Sequence, residues 1–477
     1  MNSKFKNVKF LNTIIIILCK SIYWFINTLK LGSGSTWPGH IALNLNKNFI
    51  KESLTRLRPT KQGFGEVSTD VRVSKINSQL KMILIAGTNG KTTTSTLIKF
   101  ILERSGKRVF QNEEGANLLN GIASAIIKNS DFWGKLNYDF AVFEVDENSL
   151  PLALKEINPF SLIILNLFRD QLDRYGEVNT IALKWREVLL TLSSETALII
   201  NGDDPQLSYI GQSINKRVFF FGLDESEMKN MIIGHDVDSI YCPKCNKMLD
   251  YRKVAYSHLG VFSCNHCDFK RPSPELEQLR FSVKNFSLKG LYNLYNLRAV
   301  LTLFVKVLNF KIDQIIKLLN DFQPAFGRQE IINYQERKFQ LLLSKNPTGF
   351  NQSIEVAKEI IGEGKANLLL VLNDRIPDGR DVSWIWDVDM ENITELRGKH
   401  HGITRKLTRI FVSGDRVFDM GLRLKYAGIK DFIIEKNLNK AVKELVKKTK
   451  KDEKILVLAT YTGMLEVRKI LLGRKLL

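Results

Sequence analysis

A strand, a glycine-containing loop and a helix follow one another near position 87, and this order restricts the fold more than any other feature. The apolar run Met82–Ala86 predicts a buried strand, and Thr92–Leu102 continues with helical character. Between them stands Gly87-Thr88-Asn89-Gly90-Lys91-Thr92-Thr93. Backbone N–H groups of such a loop, with the helix N-terminus, can surround phosphate oxygens. Lys91 can then reach the terminal phosphates and the Thr92 hydroxyl can bind Mg²⁺.

A chance Gly-Lys-Thr turn is the alternative interpretation of this loop. The full phosphate-binding pattern has glycine at position 85, where this chain has Ile85. The strand before the loop and the helix after it favour nucleotide binding.

Further apolar runs predict an α/β architecture in two domains. Strands are expected at Phe140–Phe143, Leu162–Leu167 and Ala197–Ile200, with room for helices between them, which indicates a parallel sheet. A second set of strands is expected at Leu368–Leu372, Ile410–Val412 and Ile455–Leu458. We therefore expect an N-terminal helix and lead-in at 1–55, an ATP-binding domain at 56–325, and a C-terminal α/β domain at 326–477.

Four of the five cysteines form two pairs with metal-binding spacing. Cys242 and Cys245 are followed, after 18 residues, by Cys264 and Cys267, inside a segment of distinct composition at about 240–274. This spacing predicts a structural Zn²⁺ ribbon held by four thiolates, with a redox pair as the weaker alternative. It also indicates a reducing, cytoplasmic compartment rather than a disulfide framework. Surface positions are the default for His258 and His266.

The N-terminal segment and the net charge bear on partners. Lys20 and Asn27 interrupt the apolar stretch Phe10–Leu31. An interfacial or buried helix therefore fits better than a membrane span or signal anchor. Such a helix is compatible with peripheral contact at the inner face of the membrane. The formal charge of +20 favours polyanions, although a lysine-rich solvated surface explains it equally well. A nucleic-acid-binding ATPase remains a rival hypothesis, but no aromatic-basic reading motif supports it, and we expect no nucleic-acid partner.

Five segments in order resemble the Mur ligase superfamily, ATP-dependent enzymes that join an amine to a carboxylate through an acyl phosphate. They are the Gly87–Thr93 loop, Glu144 at a strand end, Asn201-Gly202-Asp203-Asp204-Pro205, the segment ending in Asn296, and Phe326-Gly327-Arg328-Gln329-Glu330. The resemblance implies that Thr92 and Glu144 bind Mg²⁺. It further implies that Asn296 contacts adenine and that Arg328 binds nucleotide phosphate.

Other segments resemble the MurT branch of that superfamily. They are 112–117, 166–177, 345–351, 378–387, the cysteine ribbon and Gly34-Ser35-Thr36-Trp37-Pro38-Gly39-His40. In amino-acid-adding relatives the counterpart of Gln171 is usually a His that helps hold a second metal, so that metal is in doubt here. Lys184 lies near the position of a carbamylated lysine, but a solvent-facing helix lysine is the preferred interpretation.

The MurT resemblance implies a function and a partner. The expected reaction is ATP-dependent amidation of the α-carboxylate of D-glutamate in the lipid II stem peptide, with ammonia from a GatD-like glutaminase. Lys91 and Arg328 would stabilise charge during phosphoryl transfer, and Asp381 would complete the glutaminase triad. From the residues alone, an Asp capping a turn before Trp384 is the simpler interpretation of Asp381. A Mur-type ligase that adds an amino acid or glutamate is the alternative function.

Overall fold

A computed structural model gives the structure of the chain. It describes residues 3–28, 36–55, 80–113, 115–169, 178–230, 237–276, 288–322, 328–362, 364–396, 407–451 and 453–473.

Three N-terminal helices pack against the first α/β unit. They are α1 (Ser3–Thr28), α2 (Trp37–Leu45) and α3 (Phe49–Thr55), and their main partner is α5 (Leu119–Asn129). Gly39 makes the close approach possible, because a Cβ on this residue would lie 1.8 Å from the backbone oxygen of Asn120. Its N–H also donates to the Ser124 hydroxyl at 2.8 Å. Within the described residues, no helix has the length and apolarity required to cross a membrane.

The first sheet is parallel, and its six described strands have the order β2-β3-β1-β4-β5-β6. The strands are β1 (Lys81–Ala86), β2 (Val109–Gln111), β3 (Phe140–Val145), β4 (Ser161–Ile164), β5 (Ala197–Asn201) and β6 (Arg217–Phe221). The helices of this unit besides α5 are α4 (Lys91–Arg104), α6 (Leu150–Glu156), α7 (Val178–Leu190), α8 (Pro205–Ser213), α9 (Leu291–Thr302) with a π-helical continuation Leu303–Val307, and α10 (Ile312–Leu319).

Successive side chains of a strand point to opposite sides, so both faces of this sheet present apolar side chains. Helices cover both faces. Leu84 and Ala86 of β1 enter the core shared with α1, α5 and α7. Ile83 and Ile85 enter the core shared with α4 and α9. The apolar run that predicts a buried strand is therefore buried on two sides.

The cysteine segment forms a small antiparallel sheet of β7 (Lys229–Asn230), β8 (Asp250–Tyr256) and β9 (Leu259–Ser263), preceded by a 3₁₀ turn at Glu225–Glu227. Arg271 ties it to the main sheet: its Nε lies 2.7 Å from Oδ1 of the buried Asp203. The Tyr295 hydroxyl donates to the other carboxylate oxygen at 2.7 Å, and the Gly260 N–H donates to the backbone oxygen of Asp203 at 3.0 Å.

The second α/β unit has the strand order β10-β11-β15-β12-β13-β14 among the described residues. Its strands are β10 (Arg328–Tyr334), β11 (Arg337–Leu343), β12 (Ala366–Val371), β13 (Leu407–Ser413), β14 (Ile433–Ile434) and β15 (Lys454–Ala459). Its helices are α11 (Pro347–Gly362), α12 (Asn392–Leu396), α13 (Val417–Tyr426), α14 (Leu438–Lys448) and α15 (Tyr461–Leu472), with a 3₁₀ turn at Ser383–Asp387.

This second sheet is parallel except for the β10–β11 hairpin. Gln335 and Glu336 form its two-residue turn with φ of 48° and 62°, the left-handed geometry that matches hairpin twist. The predicted fold class is confirmed: a parallel α/β unit, an inserted ribbon and a second α/β unit.

Candidate active site

The Gly87–Thr93 loop joins β1 to α4, as its position in the sequence predicts. Gly87 and Gly90 have φ of 138° and 92°, which a residue with a Cβ rarely adopts. A Cβ on Gly90 would also lie 2.1 Å from Oδ1 of Asn296. Glycine is therefore required at position 90, and the structure brings the buried Asn296 of α9 against the loop.

Two asparagines outside the loop form hydrogen bonds with Asn89. The Asn89 N–H donates to Oδ1 of Asn166 at 2.9 Å, and Nδ2 of Asn166 donates back to the Asn89 carbonyl at 3.0 Å. The Asn89 side chain pairs with that of Asn346 in the second α/β unit, with Nδ2 of Asn346 donating at 3.2 Å. The loop is thus held by the end of β4 and contacts the second unit directly.

Lys91 forms a buried ion pair with Glu147. Its Nζ lies 3.2 Å from Oε2 of Glu147 and also donates to the carbonyl oxygens of Gly87 and Thr88. Burial by itself would raise the pKa of Glu147, but the positive charges of Lys91 and Lys345 outweigh it and hold the pKa below its ordinary value. Glu147 is therefore a carboxylate, and it keeps the ammonium group at the loop.

Thr92 and Ser95 both donate to Glu144. The Thr92 hydroxyl lies 2.9 Å from Oε2 and the Ser95 hydroxyl 2.8 Å from Oε1. The parallel register pairs Glu144 on β3 with Ile85 on β1, which places this carboxylate next to the start of the loop. A hydroxyl and a carboxylate are oxygen ligands of the kind that Mg²⁺ prefers, so these residues fit a Mg²⁺ site.

The predicted position of Arg328 is only partly described. Its backbone begins β10, and its side chain lies outside the described residues, as does Gln171. Lys184 is exposed on α7, in agreement with the preferred interpretation of a solvent-facing helix lysine.

The four paired cysteines come together. The Sγ atoms of Cys242 and Cys267 are 3.7 Å apart, those of Cys245 and Cys264 are 3.4 Å apart, and all four lie within 4.8 Å of one another. A tetrahedral Zn²⁺ with Zn–S bonds of about 2.3 Å separates its ligands by about 3.8 Å. The cluster therefore fits a metal ion held by four thiolates.

Asp381 is exposed at the carboxyl-terminal edge of the second sheet. Its Oδ1 accepts the N–H of Ser383, the first residue of the 3₁₀ turn, at 2.8 Å. That bond is the main reason why the pKa of Asp381 lies below its ordinary value. The loop that carries it is anchored by Asp378, which accepts the Thr462 N–H at 2.8 Å. Asp381 is thus an exposed carboxylate on a fixed loop.

Family models match both α/β units. The Mur ligase middle domain matches residues 85–304, and the MurT ligase C-terminal domain matches residues 343–464. The MurT subunit of lipid II isoglutaminyl synthase (glutamine-hydrolyzing) from Streptococcus pneumoniae is 30% identical over 464 residues, which cover 94% of each chain. Its counterpart from Staphylococcus aureus N315 is 32% identical over 395 residues, covering 79% of this chain and 84% of that one.

The chain belongs to the MurT family.

Solved structures confirm the fold of this MurT-family chain at lower identity. A pseudomurein peptide ligase type C from Methanothermus fervidus superposes with a TM-score of 0.58 at 21% identity, covering 83% of this chain and 79% of that one. A MurF ligase from Thermotoga maritima in complex with ADP gives a TM-score of 0.57 at 14% identity, covering 92% and 83%. These likenesses establish the Mur ligase fold.

Sequence reasoning missed several residues of the MurT-family site and misplaced one histidine. Asn166 and Asn346 lie inside segments already singled out for their family resemblance and Glu147 lies three residues after Glu144, yet their contacts depend on the fold. The expected surface position of His258 is wrong: it is buried, with Nε2 3.5 Å from Oδ2 of Asp204. Asp204 caps α8, and this acidic partner allows the imidazole to be buried.

Proposed function

We propose that this MurT-family chain is the synthetase subunit of a lipid II isoglutaminyl synthase. It converts the α-carboxylate of D-glutamate in the lipid II stem peptide to an amide, using ATP and ammonia. The observation that carries the proposal is the buried Lys91–Glu147 and Thr92–Glu144 arrangement on a phosphate-binding loop, in a chain 30% identical to a MurT subunit over 94% of its length. We assign the ATP-binding domain to 56–325 and the C-terminal domain to 326–477.

A carboxylate is a poor acyl donor, so the reaction requires activation. The carboxylate oxygen attacks the γ-phosphorus of ATP, ADP leaves, and an acyl phosphate forms. Ammonia then attacks the acyl carbon, inorganic phosphate leaves, and a proton passes to solvent. Lys91 and Arg328 balance charge on the phosphates during the first step, and Asn296 contacts the adenine.

The N–H groups of the Gly87–Thr93 loop bind phosphate oxygens, and Glu147 orients the Lys91 ammonium. Thr92 and Glu144 would hold Mg²⁺, which when bound neutralises phosphate charge. Ser95 fixes the second oxygen of Glu144 and so orients this carboxylate toward Thr92.

A separate glutaminase supplies the ammonia. A glutaminase nucleophile is a reactive thiol, and none of the five cysteines of this chain is suited to that role: four lie in the ribbon, and Cys19 is on the buried face of α1. Burial raises the pKa of Cys19 to about 11, which makes it a weak nucleophile. We propose a GatD-like glutaminase as the partner, in a heterodimer.

The C-terminal unit offers a surface for that partner next to Asp381. Phe418, Leu422 and Tyr426 form an exposed apolar row on α13, at spacings of four residues. Trp386, on the 3₁₀ turn that follows Asp381, packs edge-on against Tyr426 with ring centroids 5.3 Å apart. A partner docked on this row would meet the Asp381 carboxylate, which would orient its catalytic histidine.

The ribbon is proposed to hold one structural Zn²⁺ through Cys242, Cys245, Cys264 and Cys267. Four thiolates leave no coordination position for substrate. We propose that the protein works in the cytoplasm, where thiols stay reduced, and at the inner face of the membrane, where a lipid-linked substrate would lie.

The test is amidation of lipid II with ATP and ammonium chloride, without glutaminase. Lys91→Ala and Glu144→Ala should each abolish product. Lys99→Ala, on the same helix but with a partly exposed side chain, is the matched control and should retain activity. Near-normal product from either site variant would refute the proposed site. Faster reaction with an amino acid than with ammonia would instead support a Mur-type amino-acid ligase.

A further inference from the structure

Helix α1 is apolar on two faces, and only one of them is covered by described residues. Ile15, Ile16 and Cys19 lie in the core of the first α/β unit. The outer face carries seven large apolar side chains that are 41–70% exposed: Phe10, Leu11, Ile14, Ile17, Leu18, Trp24 and Phe25. At 3.6 residues per turn these seven positions fall within a sector of about 140°. The outer face is therefore predominantly apolar, with the Ser21 hydroxyl near its centre.

The charge of the N-terminal segment favours one kind of occupant for this surface. Residues 1–51 contain seven lysines and no Asp or Glu, and the first acidic residue is Glu52. A second copy of the chain would bring the same lysines together across a symmetric contact, which is repulsive. An anionic lipid surface instead combines an apolar layer with negative charge, and it matches both properties of α1.

Aromatic side chains at the edge of this surface have the same preference. Trp24 and Phe25 occupy the last turns of α1. Phe132, which is 64% exposed, lies beside the helix, and Nζ of Lys20 is 5.5 Å from the centre of its ring. Tryptophan favours the boundary between lipid headgroups and acyl chains, and phenylalanine is common on the apolar face of helices that lie in it.

We propose that the outer face of α1 binds the surface of an anionic lipid bilayer and lies in the interface without crossing it. An amphipathic helix of this kind enters the boundary by about 5–10 Å. The proposal rests on the proposed function in one respect, since a lipid-linked substrate requires the ligase to work at a bilayer. The helix would hold the active site beside the membrane that carries its substrate.

Sedimentation of the full-length protein with vesicles tests the proposal. Vesicles of equal parts phosphatidylglycerol and phosphatidylcholine should bind the protein, and added salt and pure phosphatidylcholine should weaken binding. Replacing Phe10, Trp24 and Phe25 together by Ser should lower the partition coefficient by about tenfold or more. Ser21→Glu, which puts a carboxylate in the centre of the outer face without removing a packed side chain, should have the same direction of effect.

The matched control replaces Phe418, Leu422 and Tyr426 of α13 by Ser, three side chains of similar exposure on the other unit. Equal binding of wild type and both outer-face variants would overturn the proposal. So would self-association without vesicles that the outer-face variants abolish while vesicle binding persists. Amidation of a soluble stem peptide with ammonium chloride separates the two proposals: an inactive wild type would refute the function and leave vesicle binding intact.

Discussion

Replacing Glu147 by Gln should destabilise the ATP-binding unit strongly, because it leaves the Lys91 ammonium buried without its carboxylate. The two side chains are 9% and 5% exposed, and the charged atoms are 3.2 Å apart. At an effective dielectric constant of about 20, that separation corresponds to about 5 kcal/mol of attraction. Desolvation offsets part of it, and loss of one partner of a buried pair costs about 3–5 kcal/mol. We expect a loss of unfolding free energy in that range.

The double variant Lys91→Met/Glu147→Gln no longer has an unpaired buried charge. Its loss of unfolding free energy should be smaller than the sum of the losses of the two single variants by about 1–3 kcal/mol. Urea unfolding followed by fluorescence measures this, with the Trp185→Phe variant identifying the local signal. Trp185 is a suitable reporter, since it is buried and its Nε1 donates to the Glu147 carbonyl at 2.9 Å.

The pair Lys99 and Glu103 on the exposed side of the same helix is the control, and its interaction energy should not exceed about 1 kcal/mol. Additive effects at Lys91 and Glu147 would refute the reasoning. A pH series gives a second check, because the folded-state pKa of Glu147 is lowered. Stability from the pair should be complete above the ordinary carboxyl pKa of about 4.3 and lost as the pH falls through the lower folded-state value.

Three further predictions concern the metal, the partner and the loop. Protein purified without chelator should contain about one Zn²⁺ per chain by elemental analysis, and Cys264→Ser should lower both zinc content and melting temperature; no zinc in wild type would contradict this. Asp381→Asn should reduce glutamine-dependent amidation by about 10³-fold or more and spare ammonia-dependent amidation. Size exclusion checks that the complex still forms, Asp313→Asn is the control, and equal loss of both activities would move Asp381 to the ligase site. Gly90→Ala should weaken ATP binding at least about tenfold in calorimetry, since its Cβ would clash with Asn296 and its φ is 92°, whereas unchanged affinity would show that the loop adapts.

The parts of the site that are contiguous in sequence could be predicted from it. The loop, the strand before it and the helix after it occupy consecutive residues, and their order determines their geometry. The cysteine pairs are similar, because each CxxC sets the distance between its own thiols and only the meeting of the two pairs depends on the fold.

Contacts between distant residues could not be predicted in this way. Glu147 meets Lys91 because β3 lies beside β1 in parallel register, and the sequence does not state which strands are neighbours. Asn346 reaches Asn89 only through the packing of the two α/β units. The buried His258 lies beside Asp204, the N-cap of α8, and neither residue pattern nor spacing reveals such a pairing.

The bond between Arg271 and Asp203 means that the ribbon is not a removable module. An engineer who deleted residues 240–274 to obtain a smaller enzyme would remove the guanidinium that faces a fully buried carboxylate in the ATP-binding unit. The Tyr295 hydroxyl would remain, but it carries no compensating charge. Such a deletion would have to be accompanied by an uncharged residue at position 203, because the insertion and the ATP-binding unit share this buried contact.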